Sequence, residues 1–115
     1  MNIILAEVNP SGGHSSERQF NKAAVTIGRD AAECDIAFDS AQFPMVSRKH
    51  AELRYQDGCW FVIDINSSYG TYLNGQPVTQ PQQVPVGSKL QFGTNGPMLI
   101  VIWFEVGSDT FQVSH

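Results

Sequence analysis

Residues 51–64, which read AELRYQDGCWFVID, decide the fold class of this 115-residue chain. The segment begins with an alternation of apolar and charged side chains, so that Ala51, Leu53 and Tyr55 share one face, as in a half-buried β-strand. Asp57-Gly58 is a turn dipeptide, and the near-continuous apolar run after it predicts a second strand that is buried on both faces. This stretch therefore predicts a β-hairpin.

Short runs rich in Val, Ile, Tyr and Phe recur on both sides of this hairpin, whereas no ten-residue stretch repeats apolar positions at helical spacing. Asn74-Gly75 favours the type I′ turn of another hairpin, and Pro77, which has no N–H, predicts an edge strand. About ten short strands at this spacing are typical of two packed antiparallel sheets, so the sequence predicts an all-β sandwich. The predicted strands are residues 2–8, 17–20, 24–27, 36–38, 51–55, 59–64, 71–73, 76–78, 89–92 and 98–104.

The composition indicates a folded globular protein, with 42% hydrophobic and 16% charged residues. The length predicts one domain over residues 1–115, either alone or as an N-terminal module of a larger protein, and residues 109–115 are expected to form a polar tail. A net charge of -4 argues against non-specific binding to nucleic acid or to an anionic membrane surface. An anionic partner would need a local basic patch.

The start of the chain lacks the basic region of a signal peptide, and the longest apolar run, residues 98–104, is too short to span a bilayer. A cytoplasmic location follows by default. Cys34 and Cys59 are far apart and have no metal-type spacing with the three histidines. Reduced, partly buried thiols are favoured over a disulfide, and a zinc site has little support.

Three polar loop clusters stand out between the predicted strands: Gly28-Arg29, residues 47–50, which read SRKH, and residues 66–71, which read NSSYGT and are followed by Asn74-Gly75. If these loops converge at one end of a sandwich, they bring together an Arg fork, hydroxyls, a Lys and glycine N–H groups. A phosphate monoester suits that set because it carries about -1.5 to -2 charge and three strong acceptor oxygens.

With these motifs in this order, and with residues 86–93 reading VGSKLQFG, the chain resembles the forkhead-associated (FHA) family of phosphothreonine-binding domains. The resemblance covers almost the whole chain, and its motif-bearing core is residues 25–93. It implies a β-sandwich of about eleven strands, with no cofactor and no catalysis. It also implies a phosphothreonine-containing protein or peptide as partner, bound across the loops at one end.

The resemblance also assigns roles residue by residue. Arg29 and Ser47 match the family residues that contact the phosphate, and Ser68 matches a position that adds a hydroxyl or backbone contact. Arg48 and Lys49 match supporting positions beside the ligand. The positions that match the family's structural motif are Gly28, His50, which braces the loops from inside, Gly70, Thr71, Asn74 and Gly75.

Tyr69 departs from the family pattern, because the fullest motif has Asn there, and its amide grips the peptide main chain. Tyrosine cannot supply a carbonyl acceptor and two amide donors together, so peptide affinity or selectivity is expected to differ. The loop at residues 39–45 is a second departure, because it is longer than the compact family version. Its Phe43 and Met45 either form an apolar rim for a ligand or fold inward as a small core, and the inward arrangement is favoured.

Three alternatives remain beside this interpretation. Arg29 alone would suit a surface ion pair with Asp30 or Asp35. Ser47, His50 and Asp64 contain the residue types of a hydrolase triad, but no Gly-x-Ser-x-Gly elbow accompanies them, so the chain is not expected to be an enzyme. A phosphate-independent scaffold or oligomerisation domain on the same fold is the main alternative function. The sequence does not indicate an oligomeric state.

Overall fold

A computed structural model describes residues 1–105 of the chain, so the predicted polar tail lies outside the described residues. Within this described range, eleven strands form two sheets that pack face to face, which confirms the all-β sandwich. The strands are β1 (Asn2–Glu7), β2 (Arg18–Asn21), β3 (Ala24–Gly28), β4 (Ile36–Ala37), β5 (Ala51–Gln56), β6 (Cys59–Asp64), β7 (Thr71–Leu73), β8 (Gln76–Pro77), β9 (Gln82–Gln83), β10 (Lys89–Phe92) and β11 (Met98–Phe104).

One sheet has six strands in the order β2-β1-β11-β10-β7-β8, and the other has five in the order β4-β3-β5-β6-β9. The pairs are antiparallel except for β3 and β4, which run parallel. All ten predicted strands match observed strands to within one residue at either end. The strand predicted at residues 17–20 is the one that moves as a whole, by one residue, to Arg18–Asn21. Because β3 ends, β5 begins, β6 ends and β7 begins at the same end of the sandwich, the loops between them meet there.

The two hairpin turns predicted from Gly-containing dipeptides are confirmed. Asp57 and Gly58 have φ values of 54° and 82°, and Asn74 and Gly75 have φ values of 50° and 85°. Both pairs therefore have the positive φ angles that a type I′ turn requires. Pro77 lies in β8, an edge strand of the six-stranded sheet, as predicted.

Two features of the five-stranded sheet differ from the prediction. Strand β6 is not buried on both faces: Trp60 and Val62 are buried between the sheets, whereas Phe61 and Ile63 are half-buried on the outer surface. An apolar run in the sequence shows that a strand is hydrophobic, but it does not show whether a second layer covers the outer face of its sheet. Strand β9 was not predicted, because its two glutamines have no apolar alternation and pair with β6 through the backbone.

The core between the sheets is continuous, and its largest fully buried side chains include Trp60, Phe92 and Leu53. Phe43 and Met45 pack against it, with the Phe43 ring at 5.6 Å from that of Phe38 in an edge-to-face arrangement. The loop at residues 39–45 therefore turns these two side chains inward, as favoured from the sequence. Such burial fixes the loop that leads into the SRKH segment.

Both cysteines are free and partly exposed. No helix among residues 1–105 is long and apolar enough to cross a membrane.

Candidate functional site

His50 joins two of the polar loops from beneath. Its ring is fully buried and packs edge-on against Phe92. The Ser47 N–H donates to His50 Nδ1 at 3.0 Å, and His50 Nε2 donates to the Gly70 carbonyl at 2.8 Å. This pattern defines a neutral imidazole with its proton on Nε2, and burial lowers the pKa of His50 below its ordinary value of 6.5.

Arg29 follows β3 and is tied to the SRKH loop through both its backbone and its side chain. Its N–H donates to the carbonyls of Ser47 at 3.0 Å and Arg48 at 3.1 Å. Its Nε donates to the Val46 carbonyl at 2.7 Å. This anchor orients the guanidinium group, and the Arg29 side chain is exposed.

The close contact between these two loops requires glycine at position 28. A Cβ atom there would lie 2.1 Å from the Arg48 carbonyl oxygen and 2.9 Å from Cys34 Sγ. Since backbone atoms cannot move aside as a flexible side chain does, only glycine permits the Arg29 N–H to reach the facing loop.

Asp64 holds the NSSYGT loop at the end of β6. Its carboxylate accepts hydrogen bonds from the Ser67 N–H at 3.1 Å, the Ser67 hydroxyl at 2.5 Å and the Thr71 hydroxyl at 2.6 Å. Burial alone would raise the pKa of Asp64, but the hydrogen bonds outweigh it and hold the pKa below 3.8. Asp64 therefore accepts hydrogen bonds at a strand end, as the sequence indicated, and remains ionised at neutral pH.

One hydrogen bond closes the site between the loops: the Ser68 N–H donates to Ser47 Oγ at 3.1 Å. Ser47 Oγ thus already accepts one hydrogen bond, while its hydroxyl proton is available to donate to a ligand. Tyr69 comes next and is 57% exposed. The three positions expected to contact or flank the phosphate on the evidence of the sequence, Arg29, Ser47 and Ser68, lie in one hydrogen-bonded cluster.

Arg48 and Lys49 lie beside this cluster and bind carboxylates of the loop after β3. Arg48 Nη2 is 3.1 Å from Asp30 Oδ2, and Lys49 Nζ is 2.8 Å from Glu33 Oε1. Asp35, the other acid suggested as a partner of Arg29, binds Lys22 at 2.8 Å. Among residues 1–105, Arg29 forms no ion pair, so the simple surface-pair interpretation of Arg29 is not supported.

Some predicted motif residues lie away from the cluster, and some of its members were missed. Asn74 and Gly75 form the turn at the far end of β7, so they shape the fold and do not meet Arg29. Ser67, whose hydroxyl also accepts the Gly70 N–H at 3.0 Å, was not singled out. The acids Asp30 and Glu33 were also missed as partners of the SRKH loop, because nothing in their local sequence indicates a partner sixteen or more residues away.

The geometry is not that of a hydrolase triad. Both ring nitrogens of His50 bond to backbone groups, and Ser47 Oγ faces the Ser68 N–H rather than the imidazole. A serine nucleophile needs a base that can accept its proton, and His50 does not hold that position. What the cluster offers instead is a guanidinium group, a hydroxyl proton and nearby ammonium and guanidinium groups, which are anion-binding groups.

Fold and site together define a class of protein: a β-sandwich domain whose polar loops meet at one end and are hydrogen-bonded to one another. Comparison of sequences identifies the family, because residues 25–93 match the FHA domain. The chain belongs to the FHA domain family. This confirms the resemblance that the motifs indicated.

Named relatives include an oxoglutarate dehydrogenase inhibitor from Corynebacterium diphtheriae, which is 38% identical over 91 residues. That alignment covers 79% of this chain and 59% of the relative. Glycogen accumulation regulator GarA from Mycobacterium tuberculosis is 33% identical over 76 residues, covering 66% of this chain and 43% of GarA. The chain thus spans about three-fifths or less of the length of these relatives, whose names describe an inhibitor and a regulator.

Two solved structures show the same fold. An FHA domain studied for phosphothreonine-dependent interactions superimposes with a TM-score of 0.73 at 25% identity, covering 92% of this chain and all of that one. The FhaA FHA domain, solved in complex with the intracellular domain of Rv3910, gives a TM-score of 0.69 at 27% identity. The second match covers 86% of this chain and 98% of the other.

Proposed function

We propose that this domain binds a phosphothreonine-containing segment of a partner protein through Arg29 and Ser47, with Ser68, Arg48 and Lys49 assisting. The observation that carries the proposal is the hydrogen-bonded convergence of three loops. Arg29 is anchored on Val46, and Ser47 accepts the Ser68 N–H, so these groups are positioned before a ligand arrives. Preorganised groups bind better because little conformational freedom is lost on association.

The charges of the cluster suit a phosphate dianion. In the part of the chain that the structure describes, the Arg29 side chain forms its one hydrogen bond through Nε, which leaves the terminal nitrogens available for a bidentate contact with two phosphate oxygens. The Ser47 hydroxyl donates to a third oxygen. Since each charge-assisted hydrogen bond contributes about 1.5–3 kcal/mol, two or three of them account for a large share of a micromolar affinity.

Tyr69 occupies the position from which the family Asn reaches the peptide main chain. Its ring is exposed at the rim of the cluster and offers apolar area with a single hydroxyl. We expect Tyr69 to contact the ligand beside the phosphothreonine, with weaker main-chain recognition than an amide provides. Affinity then depends more on the phosphate than in domains with the full motif.

The proposal assigns the domain to regulation by docking, without a catalytic step of its own. The named relatives are an inhibitor and a regulator, and one structural neighbour was studied for phosphothreonine-dependent interactions. A cytoplasmic location, where protein kinases could supply the phosphothreonine, remains a prediction. The partner is a phosphorylated protein rather than a nucleic acid or a membrane.

A second candidate is a phosphate-independent scaffold with the same fold. The observation that favours it is Trp103, which is 47% exposed on β11 at the end of the sandwich opposite the Arg29 cluster. Exposed tryptophans are enriched in protein interfaces. This candidate predicts partner binding that phosphatase treatment leaves unchanged.

Calorimetry with phosphothreonine, phosphoserine and unphosphorylated versions of one peptide tests the proposal. Arg29→Ala is expected to weaken phosphothreonine binding by about 10-fold or more, because one charged hydrogen-bonding group is removed. Its melting temperature should stay close to that of the wild type, since the side chain is exposed. Arg54→Ala is the matched control, because Arg54 is exposed on the outer face of β5 and pairs with Glu52.

Equal binding of phosphothreonine peptide by wild type and Arg29→Ala would remove Arg29 from the site. Binding to a partner protein that does not depend on phosphorylation would favour the scaffold function instead.

A further inference from the structure

Two ion pairs lie side by side next to Arg29 and Ser47. Arg48 pairs with Asp30 and Lys49 with Glu33, at 3.1 Å and 2.8 Å. These four residues line one shallow depression with a volume of about 310 Å³. The Arg48 side chain is 76% exposed, those of Lys49 and Glu33 are about half exposed, and that of Asp30 is 20% exposed, so the two cations and Glu33 can change partners without disturbing the core.

Both pairs are present in the domain without a ligand. Hydrogen bonds from the Ala32 N–H and from Arg48 lower the pKa of Asp30, and the Glu33 carboxylate raises the pKa of Lys49. Asp30 and Lys49 are therefore charged at neutral pH. Exposed pairs of this kind are weak, so a competing charge on the ligand can replace either partner.

The charge balance depends on the ligand. Arg29 and the two neighbouring ion pairs together hold three cations, Arg29, Arg48 and Lys49, and two carboxylates, Asp30 and Glu33, so their net charge is +1. A phosphate that draws Arg48 or Lys49 toward itself leaves a carboxylate without its partner near a dianion. The resulting repulsion opposes binding, and a second anion on the ligand would add to it.

A cation on the ligand relieves that repulsion. If the phosphate draws away one of the two cations, Arg48 or Lys49, and a ligand Lys or Arg takes the carboxylate that this cation leaves, every charge again has an opposite neighbour. The exchange keeps the number of ion pairs and adds the phosphate contacts. A ligand carrying both signs of charge thus fits this surface better than one carrying acids alone.

We propose that Asp30 and Glu33 are specificity-determining residues that make the domain prefer phosphothreonine segments with a neighbouring Lys or Arg over segments with neighbouring acids. The inference rests on the proposed phosphothreonine binding and deepens it, because it names the charge class of the ligand. A purely structural role for the two ion pairs would change the stability of the loop but not the ranking of peptides.

The test uses phosphothreonine peptides that differ only in having Lys, Ala or Glu at each of the three positions on either side of the phosphothreonine. Affinities are measured by calorimetry for the wild type, Asp30→Asn, Glu33→Gln and the double variant. Asp57→Asn is the matched control for the change of net charge: it lies in the hairpin turn at the opposite end, where Asn also accepts a positive φ.

The wild type is expected to bind the best Lys peptide about threefold or more tighter than the matching Glu peptide, a ratio in the range that exposed ion pairs produce. The double variant should bind all phosphopeptides more tightly and lose or reverse this preference, because only cations remain beside the phosphate. The control should keep the wild-type ratio. Added salt should reduce the ratio toward one.

A wild-type preference for the Glu peptides, or a Lys preference that survives in the double variant, would overturn the inference while leaving phosphothreonine binding intact. If the wild type bound none of the peptides in a phosphate-dependent way, that result would contradict the proposed function itself and the inference with it. Unchanged melting temperatures would verify that the variants are folded.

Discussion

The two ends of the sandwich are built by different means. At one end of the sandwich, the Asp57-Gly58 and Asn74-Gly75 turns are each two residues long, and each has the backbone conformation that its own dipeptide favours. At the end that carries Arg29, Ser47 and Ser68, the loops are longer and are held by bonds to one another. His50, for example, connects loops whose bonded groups, Ser47 N and Gly70 O, are more than twenty residues apart.

The difference shows where binding groups can be positioned accurately. A two-residue turn determines its own shape and offers few side chains. The interlocked loops at the other end orient several side chains at once, but they depend on buried groups such as His50 and Asp64 and on one close backbone contact at Gly28. We therefore expect changes in these supporting residues to affect binding, whereas changes in the hairpin turns should affect stability alone.

The largest expected effect comes from Gly28→Ala, compared with Gly58→Ala at the opposite end. The added Cβ at position 28 would overlap the Arg48 carbonyl, so the two loops would separate at a cost of about 3 kcal/mol. At position 58 there is open space, and only the positive φ of 82° is unfavourable, at about 1 kcal/mol. Urea denaturation measures both costs.

Peptide binding sharpens this comparison. Folded Gly28→Ala is expected to lose phosphothreonine binding, while Gly58→Ala should bind like the wild type. Equal binding by the two variants would show that the close approach at Gly28 does not support the site.

A smaller effect is expected from pH. Burial depresses the pKa of His50 in the folded state, so the unfolded chain takes up a proton first as the pH falls. The stability that neutral His50 contributes is complete above about pH 6.5 and declines below it. Asp64 acts in the same direction at lower pH, because its depressed pKa makes its contribution complete only above about 3.8.

His50→Gln isolates the histidine part of this dependence. The Gln side chain can accept one hydrogen bond and donate another, as His50 does, but it does not titrate in this range. Thermal unfolding between pH 7 and pH 5 should therefore show a smaller loss of stability in His50→Gln than in the wild type. An identical pH dependence in the two proteins would mean that His50 is not the responsible group.

The same contrast between the two ends explains what the sequence could predict. The hairpins and most strand bounds followed from local patterns, since turn dipeptides and period-2 alternation act over a few residues. Strand β9 was missed because Gln82 and Gln83 pair through their backbone, which leaves no side-chain pattern. The outer face of β6, which is half-buried, was also mispredicted, because whether a second layer covers a sheet is a property of the whole fold.

At the site, the motifs correctly brought Arg29, Ser47 and Ser68 together, but they wrongly included Asn74-Gly75, and they did not predict how the loops are held. Ser67 and the ion-pair partners Asp30 and Glu33 act through contacts between loops that local sequence does not encode. Phe43 and Met45 were consistent with either a rim or an inward fold, and packing against the core decided the matter. The role of Tyr69 depends on the ligand and remains a prediction.

The most direct test of the account is a titration of ¹⁵N-labelled protein with a phosphothreonine peptide, followed by amide chemical shifts. The account predicts large, saturable changes at Arg29, Ser47 and Ser68, with little change at Gly58 and Gly75, and no response to the unphosphorylated peptide. Shifts concentrated at the opposite end of the sandwich, or equal shifts with both peptides, would contradict the claim that the interlocked loops form a phosphate-binding site.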